Sequence, residues 1–262
     1  MGNSFPAGGW GSVKNDHSLF LRKKLIQQDN TKGRFAFVVP VYNHAGCVAH
    51  VIRQTQTLGF PVFVVNDGST DNTADEIKDI PGIRIISHKK NMGKGAALMS
   101  GFAAAAIEAD WAITIDADGQ HYPEDALKLI AAIPQGTRAI VVGTREGMAG
   151  EHVPWTSRFG RKFSNFWVWL SGGPVLSDSQ SGMRLYPLPE AIVLPTKAQR
   201  FQFEVEILVQ AKRKKLTVLE TSIRVVYNPD GSRISHFRPF VDFIRNSLTF
   251  TRLIFTRIFS LR

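Results

Sequence analysis

The chain reads as an α/β protein, a mostly parallel sheet with helices on both faces. Two observations carry that reading. Five short apolar runs alternate with segments of helical length between residues 35 and 143, the spacing of repeated strand–helix–strand units. The runs are nearly unbroken in apolar character, as strands buried on both faces are. A third observation concerns function: polar, chemistry-bearing residues follow each run, and open sheets bind their ligands beyond the C-terminal strand ends.

The elements follow in order. Phe35–Val41 is the first strand and Ala45–Leu58 a helix. Pro61–Asn66 is the second strand, and Thr70–Ile80 opens with capping and acidic residues as a helix. Ile83–Ser87 is the third strand, and the alanine-rich Gly95–Ala109 a helix. Trp111–Ile115 is the fourth strand, Pro123–Ile133 a helix with proline at its start, and Ala139–Gly143 the fifth strand. Leu216–Val226 reads as a later strand. Residues 1–33 read as a tail with one short helix over Ser18–Gln28. No internal repeat is present.

Composition narrows the class. The 262 residues are 44% apolar and 21% charged, which is globular usage and excludes a disordered chain. A chain of this size buries roughly 73% of its extended surface on folding. A single cysteine, Cys47, excludes an internal disulfide and a cysteine-based zinc site, and fits a reducing compartment. No apolar stretch approaches 18 residues, so no membrane-spanning helix is expected. The N-terminus has neither a signal-peptide core nor, with Pro6, a myristoylation motif.

Charge is unevenly spread. The total of +10 divides into +4 over residues 1–34, −3 over 35–146 and +9 over 147–262. A basic last third fits a polyanionic partner (nucleic acid, phosphate groups or an anionic membrane) or a solvated basic surface.

Each strand end carries a motif with two readings. Asp116-x-Asp118 sends two carboxylates out of the core at one edge, where they suit a hard cation such as Mg²⁺ or Mn²⁺, with Gln120 as a further oxygen donor. Its other reading is an Asp-rich turn. Asp67, in Asn66-Asp67-Gly68-Ser69, is placed to accept hydrogen bonds from a base or ribose, or the segment is a capped helix start. Gly93-Lys94-Gly95 offers backbone N–H groups and a cation to a phosphate, or opens a helix. Asp178 opens a Ser/Gly turn and serves as a base, as an acceptor-positioning group or as a tie within the turn. Within residues 155–186 the apolar positions 159, 163, 166, 167 and 170 recur at helical spacing with basic residues opposite, the pattern of an amphipathic helix on a membrane surface or of a helix packed on the sheet.

The segment 237–262 combines five arginines and one acid with many apolar residues, the composition of an interfacial anchor. Arg238, Arg245 and Arg252 are seven apart and stack on one helical face. A terminal helix docked on the core is the other reading.

Taken in order, the motifs resemble the inverting nucleotide-sugar glycosyltransferases of family 2, in the branch of dolichyl-phosphate mannose synthase and bacterial polyprenyl-phosphate glycosyltransferases. The pieces are Val39-Pro-Val-Tyr-Asn43, Asn66-Asp-Gly-Ser-Thr-Asp-Asn-Thr73, Asn91-Met-Gly-Lys-Gly-Ala96, Asp116-Ala-Asp-Gly-Gln-His121, Asp178-Ser-Gln-Ser-Gly-Met-Arg184, Phe203-Glu-Val-Glu206 and Ser235-His-Phe-Arg-Pro239. His44, Asn66 and Tyr122 depart from the common pattern. The processive Gln-x-x-Arg-Trp signature is absent.

The resemblance implies a GT-A domain over residues 34–236, a basic amphipathic membrane-surface helix over 237–262, and a metal-dependent glycosyltransferase. Pro40, Tyr42 and Asp67 would hold the nucleotide of a GDP- or UDP-sugar, with Asn91 and Lys94 as further binding residues. Asp116, Asp118 and Gln120 would bind Mg²⁺ or Mn²⁺ and the donor diphosphate. Arg145, Arg161, Arg233, His236 and Arg238 would hold phosphate groups. Asp118, Asp178 and Arg145 are the catalytic candidates. The acceptor would be a polyprenyl phosphate, and the location the cytoplasmic face of an anionic membrane. A lipid phosphate is largely dianionic near pH 7, its second pKa being roughly 6. It attacks without a strong base, and the enzyme positions two anions and stabilises the leaving diphosphate.

Two rivals have different requirements. A hydroxyl acceptor needs a true base, with Asp178 the candidate. A non-catalytic phosphate-binding or nucleic-acid-binding module needs basic and aromatic residues on the sheet. The acidic motifs here oppose that, and nucleic acid is not expected as a partner.

Overall fold

A computed structural model describes residues 33–146, 155–226 and 239–259. The expected N-terminal tail up to residue 32, its helix over Ser18–Gln28, and Arg233, His236 and Arg238 lie outside the described residues. In chain order the elements are β1 (Phe35–Val41), α1 (Val48–Gln56), β2 (Val62–Asn66), α2 (Thr73–Lys78), β3 (Ile83–Ser87), α3 (Lys94–Ala105) and β4 (Trp111–Thr114). A 3₁₀ turn (Pro123–Asp125) leads into α4 (Ala126–Ala131). Then come β5 (Ala139–Arg145), α5 (Trp155–Leu170), β6 (Arg184–Pro187), α6 (Glu190–Val193), α7 (Phe203–Arg213), β7 (Thr217–Ile223) and α8 (Pro239–Phe259).

The seven strands lie in the order β3-β2-β1-β4-β6-β5-β7. β1 lies inside the sheet and every residue of it is buried, which is why its sequence is an unbroken apolar run. It pairs in parallel with β2 and β4. β6 alone is antiparallel, inserted between β4 and β5. That reversal positions the site: the chain entering β6 comes up beside the C-terminal ends of β4 and β5. β5 runs two residues beyond its expected end, because Gly143–Arg145 continues the parallel pairing with Thr221–Ile223 of β7.

Alternating β1 side chains feed two cores. Phe35, Phe37 and Val39 pack with Val48 and Ile52 of α1, Ile77 of α2 and Leu127 and Ile130 of α4. Ala36 and Val38 face Leu98 and Phe102 of α3 and Phe203, Ile207 and Leu208 of α7. Each fully buried side chain of this size contributes about 1.5–3 kcal/mol. A third, smaller cluster joins Val168 of α5, Val205 and Val209 of α7 and Phe250 and Leu253 of α8.

The C-terminal helix is therefore docked along one side. Arg252 turns inward to the buried carboxylate of Glu206, Nη2 to Oε1 2.6 Å. Arg257 donates to the Leu170 carbonyl at 2.7 Å. Of the three arginines spaced seven apart, Arg245 is exposed, Arg252 is paired with Glu206, a buried acid that requires a cation, and Arg238 lies outside the described residues. Leu248, Phe255 and Ile258 remain outward, each more than half exposed. Likewise α5 buries Ser164 and Val168 and leaves Phe166 and Trp169 exposed.

Candidate active site

The site is assembled along the C-terminal edge of β1, β2, β4 and β5. On the β1–β2 side two turns are zipped together. Asn43 donates from its backbone N–H to Ser69 Oγ at 3.0 Å and accepts at Oδ1 from the Thr70 N–H at 2.7 Å. His44 donates to Thr73 Oγ1, and Ala45 to Asp71 Oδ2. Tyr42 stands half-exposed at this edge, whereas Pro40 is buried within β1.

Asp67 is buried and its carboxylate is already engaged. Oδ1 lies 2.7 Å from His88 Nδ1 and accepts from the Met92 N–H at 2.9 Å, and Oδ2 accepts from the Gly93 N–H at 2.7 Å. His88 Nε2 in turn lies 2.9 Å from Ser100 Oγ. Asp67 thus fixes the 92–93 loop and the start of α3. Asn91 accepts from Arg200 Nη1 at 2.9 Å. Lys94, the first residue of α3, reaches Asp116 Oδ1 at 2.6 Å and Glu204 Oε1 at 2.7 Å.

Asp116 and Asp118 leave β4 together. Burial pushes the Asp116 carboxyl up, but the charge and hydrogen bond of Lys94 outweigh it and hold Asp116 below the ordinary carboxylate range. Asp118 is pushed above that range, first by burial and then by the Asp116 charge. One of its oxygens accepts from the Gln120 N–H at 3.0 Å. Gln120 also anchors the later chain, its carbonyl accepting from the Val226 N–H at 2.8 Å. His121 is buried, which holds its imidazole toward neutrality, and its Nδ1 has no hydrogen-bond partner.

On the β5 side, Arg145 and Asp178 form a buried pair, Nε to Oδ2 2.7 Å and Nη2 to Oδ1 2.9 Å. Burial alone would raise the Asp178 carboxyl, but the Arg145 hydrogen bonds and charge, with a contribution from Arg161, hold it below the ordinary range. The turn around it is fixed from several sides. Glu220 accepts from the N–H groups of Ser177 and Asp178, and Asn165 accepts from the Ser179 N–H. Arg184 is fully buried and donates to the carbonyls of Ser179, Ser181 and Glu204. A β-carbon at Gly182 would run into the Asp116 carboxylate.

The structure thus brings Lys94, Asp116, Asp118, Gln120, Arg145, Arg161 and Asp178 to one edge, with Tyr42, Asp67 and Asn91 beside them. From the sequence, the partners His88 and Glu220 received no role, nor did Glu204 within the motif Phe203–Glu206. Glu204 had a signal, an acid inside the apolar stretch Phe203–Val209.

The donor set fits a hard divalent cation. Two carboxylates, one destabilised by the other, supply oxygen ligands, and such ions commonly take one or two carboxylates and complete their shell with substrate phosphates. Among the described residues no group of three or more His, Cys, Asp or Glu side chains could hold a metal alone.

Residues 36–188, more than half of the chain, match the family model of glycosyl transferase family 2. A UDP-N-acetylglucosamine–dolichyl-phosphate N-acetylglucosaminyltransferase of Methanococcus voltae is 32% identical over 212 residues, covering 72% of this chain and 84% of that protein. A dolichyl-phosphate β-glucosyltransferase of Trichomonas vaginalis is 29% identical, covering 71% of this chain and 62% of its own length. An undecaprenyl-phosphate 4-deoxy-4-formamido-L-arabinose transferase of Edwardsiella ictaluri is 30% identical over 160 residues, covering 57% and 47%. In fold the chain is similar to glucosyl-3-phosphoglycerate synthase of Mycobacterium tuberculosis, solved with Mn²⁺, UDP and phosphoglyceric acid, at TM-score 0.66 and 18% identity, covering 91% of this chain and 82% of that one. The same protein is also known with Mg²⁺ and UDP. With its mostly parallel seven-stranded GT-A sheet and the ordered strand-end motifs, the chain belongs to glycosyl transferase family 2, and it is a glycosyltransferase.

Proposed function

We propose that this protein transfers a sugar, with inversion, from a nucleotide-sugar (UDP- or GDP-linked) to a polyprenyl phosphate at the cytoplasmic face of an anionic membrane. One observation carries the choice of acceptor. Asp178, the base that a hydroxyl acceptor would need, has both carboxylate oxygens committed to Arg145 and is fully buried. That pairing favours a nucleophile that arrives already ionised.

In this reading a phosphate oxygen of the lipid bonds to the anomeric carbon as the bond from that carbon to the donor diphosphate breaks, and the nucleoside diphosphate leaves. No proton has to be removed from a phosphate dianion. Arg145, oriented by Asp178, and Arg161 attract and align the anions. Tyr42 and the zipped 43–45 and 69–73 turns form the nucleotide side, with Asp67 fixing the loop that presents Lys94. Asp116, Asp118 and Gln120 would hold Mg²⁺ or Mn²⁺, which supplies charge neutralisation at the departing diphosphate. Arg233, His236 and Arg238 are assigned to phosphate groups. Their segment follows Val226, which is tied to Gln120.

The membrane role is supported by the outward apolar residues of α8 beside an exposed Arg245. Among the described residues no helix is long and apolar enough to cross a membrane.

The test is a donor panel of UDP- and GDP-sugars with a short-chain polyprenyl phosphate and either Mg²⁺ or Mn²⁺, read by mass spectrometry. A lipid phosphate heavier by one glycosyl unit, with release of a nucleoside diphosphate, is expected. Release of a nucleoside monophosphate, or glycosylation of free sugars alone, would overturn it.

A further inference from the structure

Lys94 is a largely buried cation beside the carboxylates proposed to hold the metal. Its Nζ bridges Asp116 Oδ1 and Glu204 Oε1, and its side chain is only 14% exposed. The loop that presents it has little freedom. Asp67 accepts from the N–H groups of Met92 and Gly93, and the Ala96 N–H donates to the Gln199 carbonyl. A β-carbon at Gly93, where φ is +104°, would meet Gln199 and Arg200, and one at Gly95 would meet Phe203. The ammonium is therefore clamped between one candidate metal ligand and an acid on α7. Each of the two carboxylates lies within hydrogen-bond distance of it, at 2.6 and 2.7 Å.

A fixed positive charge on Asp116 competes with a divalent ion for the same oxygen and repels it at short range, where the interior dielectric weakens the field least. The protein's own donors there are two carboxylates, one of them already neutralised. A donor diphosphate brings further negative charge and oxygen ligands, enough to reverse that balance. A cross-link that served only to hold α3, β4 and α7 together would have no such effect on metal affinity.

We propose that Lys94 is a resident counter-ion that bars free divalent cations from the Asp116–Asp118 pair, so that metal enters only together with the donor diphosphate. This rests on the proposed metal-dependent reading and adds a loading order to it. Glu204 acts by holding Lys94 in place after the metal arrives.

The experiment is Mn²⁺ binding to the full chain followed by electron paramagnetic resonance, alone and with UDP or GDP in parallel arms. The double variant Lys94→Met/Glu204→Gln removes the cation and its second anion together, leaving the local net charge unchanged. It is expected to bind free Mn²⁺ at least tenfold more tightly than the unaltered protein, and the enhancement by nucleotide is expected to shrink by a similar factor. Should the double variant fail to fold, Lys94→Gln, which keeps a hydrogen-bonding side chain, is read the same way. Free Mn²⁺ binding that is unchanged or weaker in a variant of normal melting temperature would overturn the proposal. Asp118→Asn separates the two levels. If it binds Mn²⁺ with nucleotide as well as the unaltered protein does, the metal reading fails and the loading order with it. If it loses Mn²⁺ while the Lys94 variants match the unaltered protein, only the loading order fails.

Discussion

Arg145 and Asp178 form a two-pronged ion pair in which the acid is fully buried and the base nearly so. Removing one partner of such a pair leaves the other uncompensated and costs about 3 kcal/mol. Asp178→Asn is therefore expected to lower stability by that order in urea unfolding at pH 7. The pH dependence has a definite sign. The folded Asp178 carboxyl lies below its ordinary value, so its contribution is complete above the unfolded value, roughly pH 4, and is lost as pH falls through the folded value. The variant should accordingly lose less stability than the parent on acidification below about pH 4. An identical acid slope in the two proteins contradicts the pair's role.

Asp118 is the opposite case. Burial and Asp116 both disfavour its ionised form, so at neutral pH it subtracts from stability. Asp118→Asn should raise the melting temperature of the metal-free protein while lowering transfer at least about 10²-fold, a loss of roughly 2.7 kcal/mol at the transition state. Calorimetry and initial rates together check this. A variant that melts lower and keeps full turnover removes Asp118 from the site.

Gly182 tests the geometry of the same carboxylates. Gly182→Ala places a methyl group where the Asp116 carboxylate lies, and a displacement of about 1 Å can cost 10²-fold in rate. The expected result is a folded protein with a large loss of turnover and altered Mn²⁺ binding in the presence of nucleotide. Normal kinetics in Gly182→Ala means that Asp116 has room to move without consequence.

Much of this was legible in the sequence, for identifiable reasons. β1 and β3 span the residues expected of them, Phe35–Val41 and Ile83–Ser87. β6 was not legible: Arg184-Leu-Tyr-Pro187 is four residues bounded by an arginine and a proline and lacks a strand pattern. It is buried because Arg184 finds carbonyl acceptors on its own turn and on α7. The DxD carboxylates could be read from their spacing. The clamp on Lys94 could not, because Glu204 lies 110 residues further along the chain. The Arg252–Glu206 pair shows the same limit, since its members lie 46 residues apart on different helices.

The outward stripe of α8 makes a separate prediction. Leu248, Phe255 and Ile258 are exposed while Phe250 and Leu253 hold the helix down. Replacing the first three with Ser should release the protein from anionic vesicles without lowering its melting temperature, since apolar burial in the interface scales with the area inserted. Adding salt should weaken the parent's binding, with each arginine near the surface contributing about 1 kcal/mol. Equal partitioning of parent and variant assigns the stripe no role at a membrane.

The most direct measurement is a competition between a polyprenyl phosphate and the corresponding unphosphorylated polyprenol for one nucleotide-sugar, with phosphoglyceric acid and a free glycan in parallel and the pH varied. The phosphate-acceptor mechanism predicts transfer to the polyprenyl phosphate alone, with a rate that rises through about pH 6 as the lipid phosphate ionises. Efficient transfer to the polyprenol, the glycan or phosphoglyceric acid, abolished by Asp178→Asn, would contradict it and make Asp178 a base for a hydroxyl acceptor.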